Sequence, residues 1–321
     1  MSETGLVTAV GARSCRVHLP GRGEVRCTLR GLLFDDESEA AHPVAAGDHV
    51  SVVLEGDEGV IESVAPRSNY LARPVGSSGR RSKTQVIAAN IDRLVVVAAL
   101  DDPPFRPGLV DRFLVAAAMQ DIHPVLVLNK VDLERPPGDA SAGGPRRDVV
   151  GPYREFGIEV LETSGRTGEG IAALGAVLHS GISLLVGHSG VGKSSLLNAV
   201  SPGLELSIGA VTAYHGRGRH TTTNRELVPL PGGALLLDTP GMRELALWAD
   251  ESVLDSTFAE IIDLAGACRF ADCTHLHEPG CAVQAAIADG SLEAERFDSY
   301  LKLQRELRAL EVRKDARLRS E

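Results

Sequence analysis

The sequence is short of several residue types, and each shortage narrows what the chain can be. Of its 321 residues only 4% are aromatic, and only five are lysine. The five cysteines are too few and too unevenly spread for a disulfide framework. No apolar run approaches the roughly 20 residues that a membrane-spanning helix needs. The start, MSETGLVTAV, also lacks the pattern of a signal peptide. We therefore expect a cytoplasmic protein that does not bind membranes.

The formal net charge of −10 argues against a uniformly basic nucleic-acid-binding protein. Two local segments are nevertheless basic. RPVGSSGRRSK, at residues 73–83, carries four positive charges and no acid, and the C-terminal LKLQRELRALEVRKDARLRS is also net basic. Such segments are compatible with binding a polyanion such as RNA. On charge alone, a solvated linker and a solvated helix explain them more simply.

The pattern of apolar residues divides the chain into four parts. Residues 1–68 contain five short β-like segments, which predict a small barrel; an OB-fold is one option and an SH3-like barrel is another. Residues 69–85 are rich in Gly, Ser and Arg and predict a basic, flexible linker. Residues 86–247 alternate apolar strands with helices, as in a parallel α/β sheet. Residues 248–321 predict a helical domain around a Cys/His cluster, ending in a basic helix.

GHSGVGKS, at residues 187–194, has the spacing of a phosphate-binding loop. It follows an apolar strand and opens a helix, which is the context that this motif requires. Its glycines allow backbone N–H groups to face phosphate oxygens. We expect Lys193 to contact the β and γ phosphates and Ser194 to ligate Mg²⁺. The match of Lys193 to the motif does not result from a high lysine content, because the chain has only five lysines.

Three further motifs end predicted strands of the same domain. NKVD, at residues 129–132, offers an aspartate that can accept from guanine N1–H and N2–H₂, groups that adenine lacks. ETSGR, at residues 162–166, is placed to offer backbone N–H groups to guanine O6. DTPG, at residues 238–241, offers Asp238 to Mg²⁺ through a water and the Gly241 N–H to the γ-phosphate. Alone each motif is weak, but together they predict a guanine-nucleotide site.

The order of these motifs is unusual, because the base-reading motif precedes the phosphate-binding loop. All of them lie at strand ends, so a change in loop connections leaves the site intact. We interpret the order as a circular permutation of a P-loop GTPase domain. The expected nucleotide-binding residues are Asn129, Lys130, Val131, Asp132, Ser164, Gly165, Gly187, His188, Ser189, Gly190, Val191, Gly192, Lys193, Ser194, Ser195, Asp238 and Gly241.

CRFADCTHLHEPGC, at residues 268–281, predicts a metal site. Three thiolates and one imidazole within fourteen residues form a closed tetrahedral set, typical of structural zinc. The three sulfur ligands are Cys268, Cys273 and Cys281. On spacing alone either His275 or His277 completes the set. Cys15 and Cys27 lie far away and are expected to be small buried apolar residues.

Taken together, these features resemble the ribosome small subunit-dependent GTPases of bacteria. The resemblance rests on the permuted order, on GRHTTT at residues 218–223, on the Cys/Cys/His/Cys cluster and on the upstream barrel. It implies a multi-domain protein with an N-terminal OB-fold barrel, a central circularly permuted α/β P-loop GTPase domain and a C-terminal helical zinc-binding domain. It also implies GTP hydrolysis stimulated by the small (30S) ribosomal subunit, a role in that subunit's late maturation, contact with its rRNA, and one zinc ion held with His275. We expect a monomer.

The catalytic residues are expected to be His220, Thr222 and Lys193. Met242 occupies the position after DTPG where many GTPases carry a water-orienting glutamine, so another group must orient the water. His220 is our candidate, in agreement with the resemblance. Thr222 is favoured over Thr221 as the residue that senses Mg²⁺ and the γ-phosphate. The expected magnesium set is Ser194, Thr222 and Asp238.

Two other classes of protein remain as alternatives. One is a P-loop ATPase or small-molecule kinase, in which NKVD would be an accidental match. The other is a zinc-dependent RNA-binding module with a vestigial nucleotide site. The intact Lys193, Ser194 and Asp238 argue against a decayed site.

Overall fold

The computed structural model describes residues 2–11, 14–31, 42–75, 83–133, 148–202, 225–230, 233–238 and 251–318. The chain divides into two compact units. The first combines Met1–Phe105 with Ile122–Ala246, and the second combines Arg106–Asp121 with Leu247–Glu321. Each unit is therefore built from two separate stretches of chain.

The first unit begins with a closed five-stranded barrel. Its strands, β1 to β5, are Ser2–Val10, Cys15–Leu19, Gly23–Leu29, His49–Glu55 and Glu58–Val64. Their order is β1-β2-β3-β5-β4, and β1 pairs with β4 to close the ring. The β3–β5 pair is parallel, whereas the other four pairs are antiparallel. This arrangement is an OB-fold, which settles the choice that the sequence left open.

The period-2 pattern of the strands fills the barrel core. Along β2, Cys15 and Leu19 are buried, while Arg16 and His18 are exposed. Cys27 on β3 lies directly opposite Cys15 in the register of the two strands. Burial raises the pKa of each thiol to about 11. Both cysteines therefore stay protonated and pack as small apolar side chains, as their isolation in the sequence predicted.

A buried ion pair anchors the chain that leaves the barrel. Asp48 is fully buried and accepts a hydrogen bond from the backbone N–H of Ala45 at 2.7 Å. Arg67 donates to both of its carboxylate oxygens, from Nε at 2.7 Å and from Nη2 at 2.8 Å. The same Nη2 also donates to the carbonyl of Pro43 at 3.2 Å. This bidentate geometry satisfies the buried carboxylate.

Two further strands follow the barrel. β6 (Tyr70–Val75) and β7 (Lys83–Ala89) pair antiparallel. They occupy both ends of the segment 69–85, for which the sequence predicted a flexible linker. Asn69 closes the base of the hairpin, because its side chain donates to the Ile91 carbonyl at 2.9 Å and accepts from the Ile91 N–H at 2.7 Å.

A mostly parallel sheet forms the rest of the first unit. Its strands, β8 to β13, are Arg93–Ala99, His123–Asn129, Glu159–Glu162, Ile182–Val186, Arg225–Pro229 and Leu235–Asp238. The order is β10-β9-β8-β11-β13-β12, with only β12 antiparallel to its neighbour in the sheet. β12 also pairs with β1, which joins the sheet to the barrel. The central strands β8, β9 and β11 are buried except at the first residues of β8 and β9, as the continuous apolar runs predicted.

Among the described residues of the first unit, three α-helices follow strands of this sheet: α2 (Gly151–Glu155), α3 (Ile171–Val177) and α4 (Lys193–Val200). Leu174 of α3 and Leu196 of α4 are fully buried in one cluster with Val95 and Val127 of the strands. Burying each of these side chains stabilises the fold by about 1.5–3 kcal/mol. The packing fixes the start of α4 against the carboxyl ends of the strands.

The second unit is helical. It contains α1 (Pro107–Ala118), which connects β8 to β9 in the chain, and the C-terminal helices α5 (Glu251–Thr257), α6 (Ala259–Ala265), α7 (Ala282–Asp289) and α8 (Ala294–Leu318). Arg296 of α8 is buried and forms ion pairs with Asp111 of α1 and Glu260 of α6. Its guanidinium also lies 4.0 Å from the centre of the Phe258 ring. The structure groups α1 with the C-terminal helices. The domain boundaries predicted from the sequence instead place α1 within residues 86–247.

In the described part of the chain, no helix combines the length and the apolar character needed to cross a membrane.

We predict that Arg67→Ala lowers the free energy of unfolding by about 3 kcal/mol, because it leaves the Asp48 carboxylate buried and unpaired. Arg30→Ala is the matched control, since Arg30 pairs with Glu62 at the exposed surface of the same barrel, where such pairs contribute less than about 1 kcal/mol. Chemical denaturation, monitored by hydrogen exchange of the barrel amides, measures the free energy of unfolding of both variants. Equal losses in the two variants would contradict the prediction.

Candidate functional site

The phosphate-binding loop connects β11 to α4. Its three glycines adopt φ values of 147°, 87° and 95° at Gly187, Gly190 and Gly192. A Cβ at Gly187 would lie 2.1 Å from the Val97 carbonyl oxygen, and a Cβ at Gly192 would lie 2.3 Å from Asn129 Nδ2. Both the backbone conformation and the close packing therefore require glycine here.

Lys193 begins α4 and folds back over the loop. Its Nζ donates to the carbonyl of Gly187 at 2.9 Å and to that of His188 at 3.1 Å. His188 Nδ1 lies 2.7 Å from the carbonyl oxygen of Ser189. The ammonium group is thus held above the loop backbone, where a nucleotide's phosphates would contact it.

Asn129 connects the loops of the site. It ends β9 and is 1% exposed. Its Nδ2 donates to the Val191 carbonyl in the phosphate-binding loop at 2.8 Å. Its Oδ1 accepts from the Thr163 hydroxyl and from the Gly165 N–H, both at 3.3 Å. One buried amide therefore holds the phosphate-binding loop to the loop that follows β10.

Asp132 is held in place by that second loop. Its Oδ1 accepts from the Ser164 hydroxyl at 2.5 Å, and its Oδ2 accepts from Arg166 Nε at 2.7 Å. Ser164 is fully buried, and its Oγ also accepts from the N–H groups of Arg166 and Thr167. The Ser164 hydroxyl holds the pKa of Asp132 below its usual value, with help from Arg166 and against the effect of burial. The carboxylate is therefore ionised and oriented, as a reader of N–H donors must be.

Lys130 has a left-handed backbone, with φ of 62°. Its Nζ donates to the backbone carbonyl of Asp102 and lies 3.8 Å from that residue's Oδ2. Asp102 belongs to the loop after β8, so this loop also borders the site. The left-handed turn sends the chain from Asn129 toward Asp132 within three residues.

The strand register places the motif loops at one edge of the sheet. Asn129 pairs with Ala99, and Glu162 pairs with Leu128. Asp238 ends β13 opposite Leu185, two residues before the phosphate-binding loop. His220, Thr222 and Gly241 lie outside the described residues. The structure therefore brings together residues of the NKVD, ETSGR and GHSGVGKS motifs, with the Asp238 backbone at the same edge.

The cysteine cluster lies in the second unit. The ligand atoms of Cys268, Cys273, His275 and Cys281 all lie within 4.8 Å of one another. His275 Nδ1 is 3.5 Å from the sulfurs of both Cys268 and Cys281, which are 3.9 Å apart. Tetrahedral zinc would place two sulfurs about 3.8 Å apart and a sulfur about 3.6 Å from a nitrogen. The donor set thus fits zinc, and the exposed His277 is not part of it.

The start of α7 supports two of the sulfurs. The Ala282 N–H donates to Cys268 Sγ, and the Gln284 N–H donates to Cys281 Sγ, both at 3.4 Å. Burial raises the pKa of Cys268, but N–H donors from Ala282 and Val283, together with hydrogen bonds to the Cys281 and Cys273 thiols, outweigh it, and the pKa is lowered. Thiolate is the form that binds zinc.

Sequence reasoning missed several residues that shape these sites. Thr163 and Arg166 lie within the ETSGR motif, so the sequence predicted that they lie near the site. It did not predict their hydrogen bonds to Asn129 and Asp132. Asp102 carried no motif. Glu278 and Gln284 lie in and beside the cysteine motif, where residues that are not ligands attract no notice. Glu278 accepts from the Thr274 hydroxyl, which holds its pKa well below the usual range.

Comparisons with known proteins agree with this geometry. The family profile described as RsgA GTPase matches residues 64–248. A "Small ribosomal subunit biogenesis GTPase RsgA" of Streptomyces avermitilis is 40% identical over 99% of this chain and 83% of its own length. The protein of the same name from Opitutus terrae is 41% identical over 90% of this chain and 80% of its own. This chain belongs to the RsgA GTPase family.

Solved structures of relatives show the same fold. YjeQ from Thermotoga maritima is 30% identical, with a TM-score of 0.67 over 96% of this chain and 99% of its own. YloQ, described as a circularly permuted GTPase, is 28% identical, with a TM-score of 0.65 over 96% of each chain. The permuted architecture and the family resemblance inferred from the sequence are therefore confirmed.

We predict that Ser164→Ala raises the pKa of Asp132 toward the ordinary aspartate value of about 3.9, because it removes the principal donor to the carboxylate. In the unaltered protein the depressed pKa keeps Asp132 charged below that value, and the charge is lost only as pH falls through the lower, folded-state pKa. A carbon-detected NMR titration of labelled aspartate measures the shift.

Thr167→Ala is the control for this titration. It removes a hydroxyl from the same loop, and that hydroxyl accepts from the Glu169 N–H instead of donating to Asp132. The two variants should therefore differ. An unchanged Asp132 pKa in Ser164→Ala would show that Ser164 does not set the ionisation of the carboxylate.

Proposed function

We propose that this protein is a GTPase of small ribosomal subunit biogenesis, which hydrolyses GTP to GDP and phosphate with turnover stimulated by that subunit. The observation that carries the proposal is the shared anchorage of the two halves of the site. Asn129 binds both the phosphate-binding loop and the loop that positions Asp132. The relatives named small ribosomal subunit biogenesis GTPases support the biological role.

We infer that the base and the phosphates contact opposite ends of this site. Asp132 would accept from guanine N1–H and N2–H₂, and the backbone of Ser164 and Gly165 would face guanine O6. Lys193 and the N–H groups of residues 187–195 would bind the phosphates. Support comes from the ionised, fixed carboxylate of Asp132 and from the Lys193 ammonium held at the loop. Guanine would bring to the fixed Asp132 carboxylate two N–H donors that adenine lacks, and this difference would discriminate between the two bases.

For the chemical step we propose roles for three groups of this chain. Water attacks the γ-phosphorus while the bond to the bridging oxygen of GDP breaks, and Lys193 would stabilise the charge on the phosphates. His220 would orient the water, since Met242 cannot. Ser194, Thr222 and Asp238 would hold Mg²⁺, which when bound with GTP neutralises part of the phosphate charge. The position of Asp238 at the end of β13 supports its part of this set.

We also propose that Cys268, Cys273, His275 and Cys281 bind one structural zinc ion. The interatomic distances of 3.5–3.9 Å within the set support this assignment. A closed set of four protein ligands has no open position for a substrate, so its role would be to hold the loop. The domain boundaries at residues 68, 85 and 247 are proposed on sequence grounds.

The proposed partner is the small (30S) subunit and its rRNA, met in the cytoplasm by a monomer. The names of the relatives support the subunit, and the basic residues of the C-terminal helix suit contact with rRNA phosphates. Arg16 and Arg26, which lie directly opposite each other on β2 and β3, add local positive charge to the barrel.

We predict that purified small subunits raise the rate of GTP turnover at least tenfold over the protein alone, whereas large subunits leave it unchanged. Met242 leaves the isolated protein without a water-orienting glutamine, and we expect the small subunit to bring His220 into the position that orients the water. Release of phosphate under multiple turnover measures the rate. A rate of GTP turnover that does not change with the small subunit would exclude the proposed ribosomal role, but it would not exclude the proposed GTP hydrolysis.

We predict that Asp132→Asn weakens GDP binding by at least about 100-fold, since guanine's two donors would then face an amide instead of a carboxylate. Isothermal calorimetry with GDP and ADP measures the base preference. Asp57→Asn, an exposed change in the barrel, is the control for the loss of one charge. Tighter binding of ADP than of GDP in the unaltered protein would favour an ATPase or kinase instead.

A further inference from the structure

The histidine of the metal site has an unfavourable backbone conformation. His275 has φ of 60°, in the left-handed region that residues with a side chain rarely occupy. This conformation lets its Nδ1 lie 3.5 Å from two of the three sulfurs. A ligand in a strained turn stays in place only if the surrounding contacts hold it there. The question is which contacts do so.

Glu278 supplies most of these contacts. Its Oε1 accepts from the Thr274 N–H at 3.1 Å and from the Thr274 hydroxyl. Its Oε2 accepts from the N–H groups of Leu276 and His277, at 3.1 Å and 3.2 Å. One carboxylate therefore binds three backbone amides that flank His275 on both sides. These amides point inward around the carboxylate and define the turn.

Gln284 holds the same histidine from the helix side. Its Nε2 donates to the carbonyl of His275 at 2.7 Å. Gln284 lies in the first turn of α7, and its backbone N–H donates to the sulfur of Cys281, the residue just before that helix. The backbone of the histidine ligand is thus connected to the helix that carries another ligand.

The charge of Glu278 gives no reason for its position. Zinc with three thiolates already carries a net charge of −1, and Glu278 Oε2 lies 3.8 Å from Cys273 Sγ. A second anion this close to a zinc-bound thiolate is repelled. The Cys273 thiol donates to Glu278 Oε2 in its protonated form, but a zinc-bound thiolate has no proton to donate. The favourable contacts that then remain for the carboxylate are those with the amides and the Thr274 hydroxyl. A geometric role therefore explains its position where an electrostatic role does not.

We propose that Glu278 is a positioning residue of the metal site. It fixes the turn of residues 274–278 so that His275 faces the three sulfurs, and Gln284 assists from α7. The inference rests on the proposed zinc site and adds to it two residues that support the ligands without binding the metal. Such supporting contacts typically change metal affinity by 10- to 100-fold.

The test uses the full-length protein. We expect Glu278→Gln to weaken zinc binding 10- to 100-fold, measured by competition with a chromophoric chelator. The side-chain amide presents N–H groups to backbone donors, so it cannot accept all four hydrogen bonds. Cobalt at saturation should give the same tetrahedral absorption spectrum in both proteins, because Glu278 is not a ligand. A changed spectrum at saturation would overturn the proposal by making Glu278 a ligand.

Asp272→Asn is the matched control. It removes one negative charge next to Cys273 in the same loop, at an exposed residue. We expect its zinc affinity to be unchanged. An equal loss in Asp272→Asn and Glu278→Gln would overturn the proposal, because it would show an effect of charge. Unchanged affinity in Glu278→Gln would overturn it as well.

Two further measurements keep the outcome clear. Gln284→Ala removes the hydrogen bond to the His275 carbonyl and should weaken zinc binding by a smaller factor, about threefold to tenfold, even where Glu278→Gln fails to fold. No loss in Gln284→Ala would remove Gln284 from the proposal. If the unaltered protein does not retain one zinc per chain, the proposed metal site fails, and this inference fails with it. If the unaltered protein retains zinc, the variants test the inference alone.

Discussion

The hydrogen bonds of one buried side chain, Asn129, hold the candidate nucleotide site together. Its amide donates to the phosphate-binding loop and accepts from the loop that fixes Asp132, so the distance between these two loops is set by contacts within the protein. The packing is close enough that Gly192 has no room for a Cβ beside Asn129 Nδ2. Loss of the partners of Asn129 would cost free energy at both its amide nitrogen and its amide oxygen, because the side chain is buried, with 1% of the residue exposed.

This anchorage explains why a permuted order of motifs is physically acceptable. The Asn129 contacts join residues 62 and 36 positions away in the chain, and none of them depends on how the strands are connected. The carboxyl ends of neighbouring parallel strands meet at one edge of the sheet whatever the order of the strands in sequence. Cutting and rejoining loops at the other edge therefore leaves Asn129, Asp132 and Lys193 in the same relation.

Most of the site was predictable from sequence because its motifs are local and each sits on one strand end. The contacts that were missed are of two kinds. Arg296 pairs with Asp111, 185 residues away, so α1 joins the C-terminal helices through an interaction that no local pattern records. The paired strands β6 and β7 lie on either side of a Gly/Ser/Arg-rich run. The composition of that run led to the prediction of a flexible linker. In both cases tertiary contacts override what local composition indicates.

The cysteine loop has little apolar burial, which explains why the proposed metal and the proposed positioning carboxylate would both be needed in the second unit. Between Cys268 and Cys281 most residues are exposed, including Phe270 at 40% and Leu276 at 49%, and of the loop's residues only Cys281 is buried. Apolar burial therefore contributes little to holding the loop. Zinc would fix the positions of four side chains of the loop. Those four ligands alone would still leave several backbone conformations open to the turn between Cys273 and Cys281. The amides bound by Glu278 remove that freedom. A loop with almost no core can then keep His275 in a left-handed conformation, because the cost of that conformation is offset by hydrogen bonds on both sides of it.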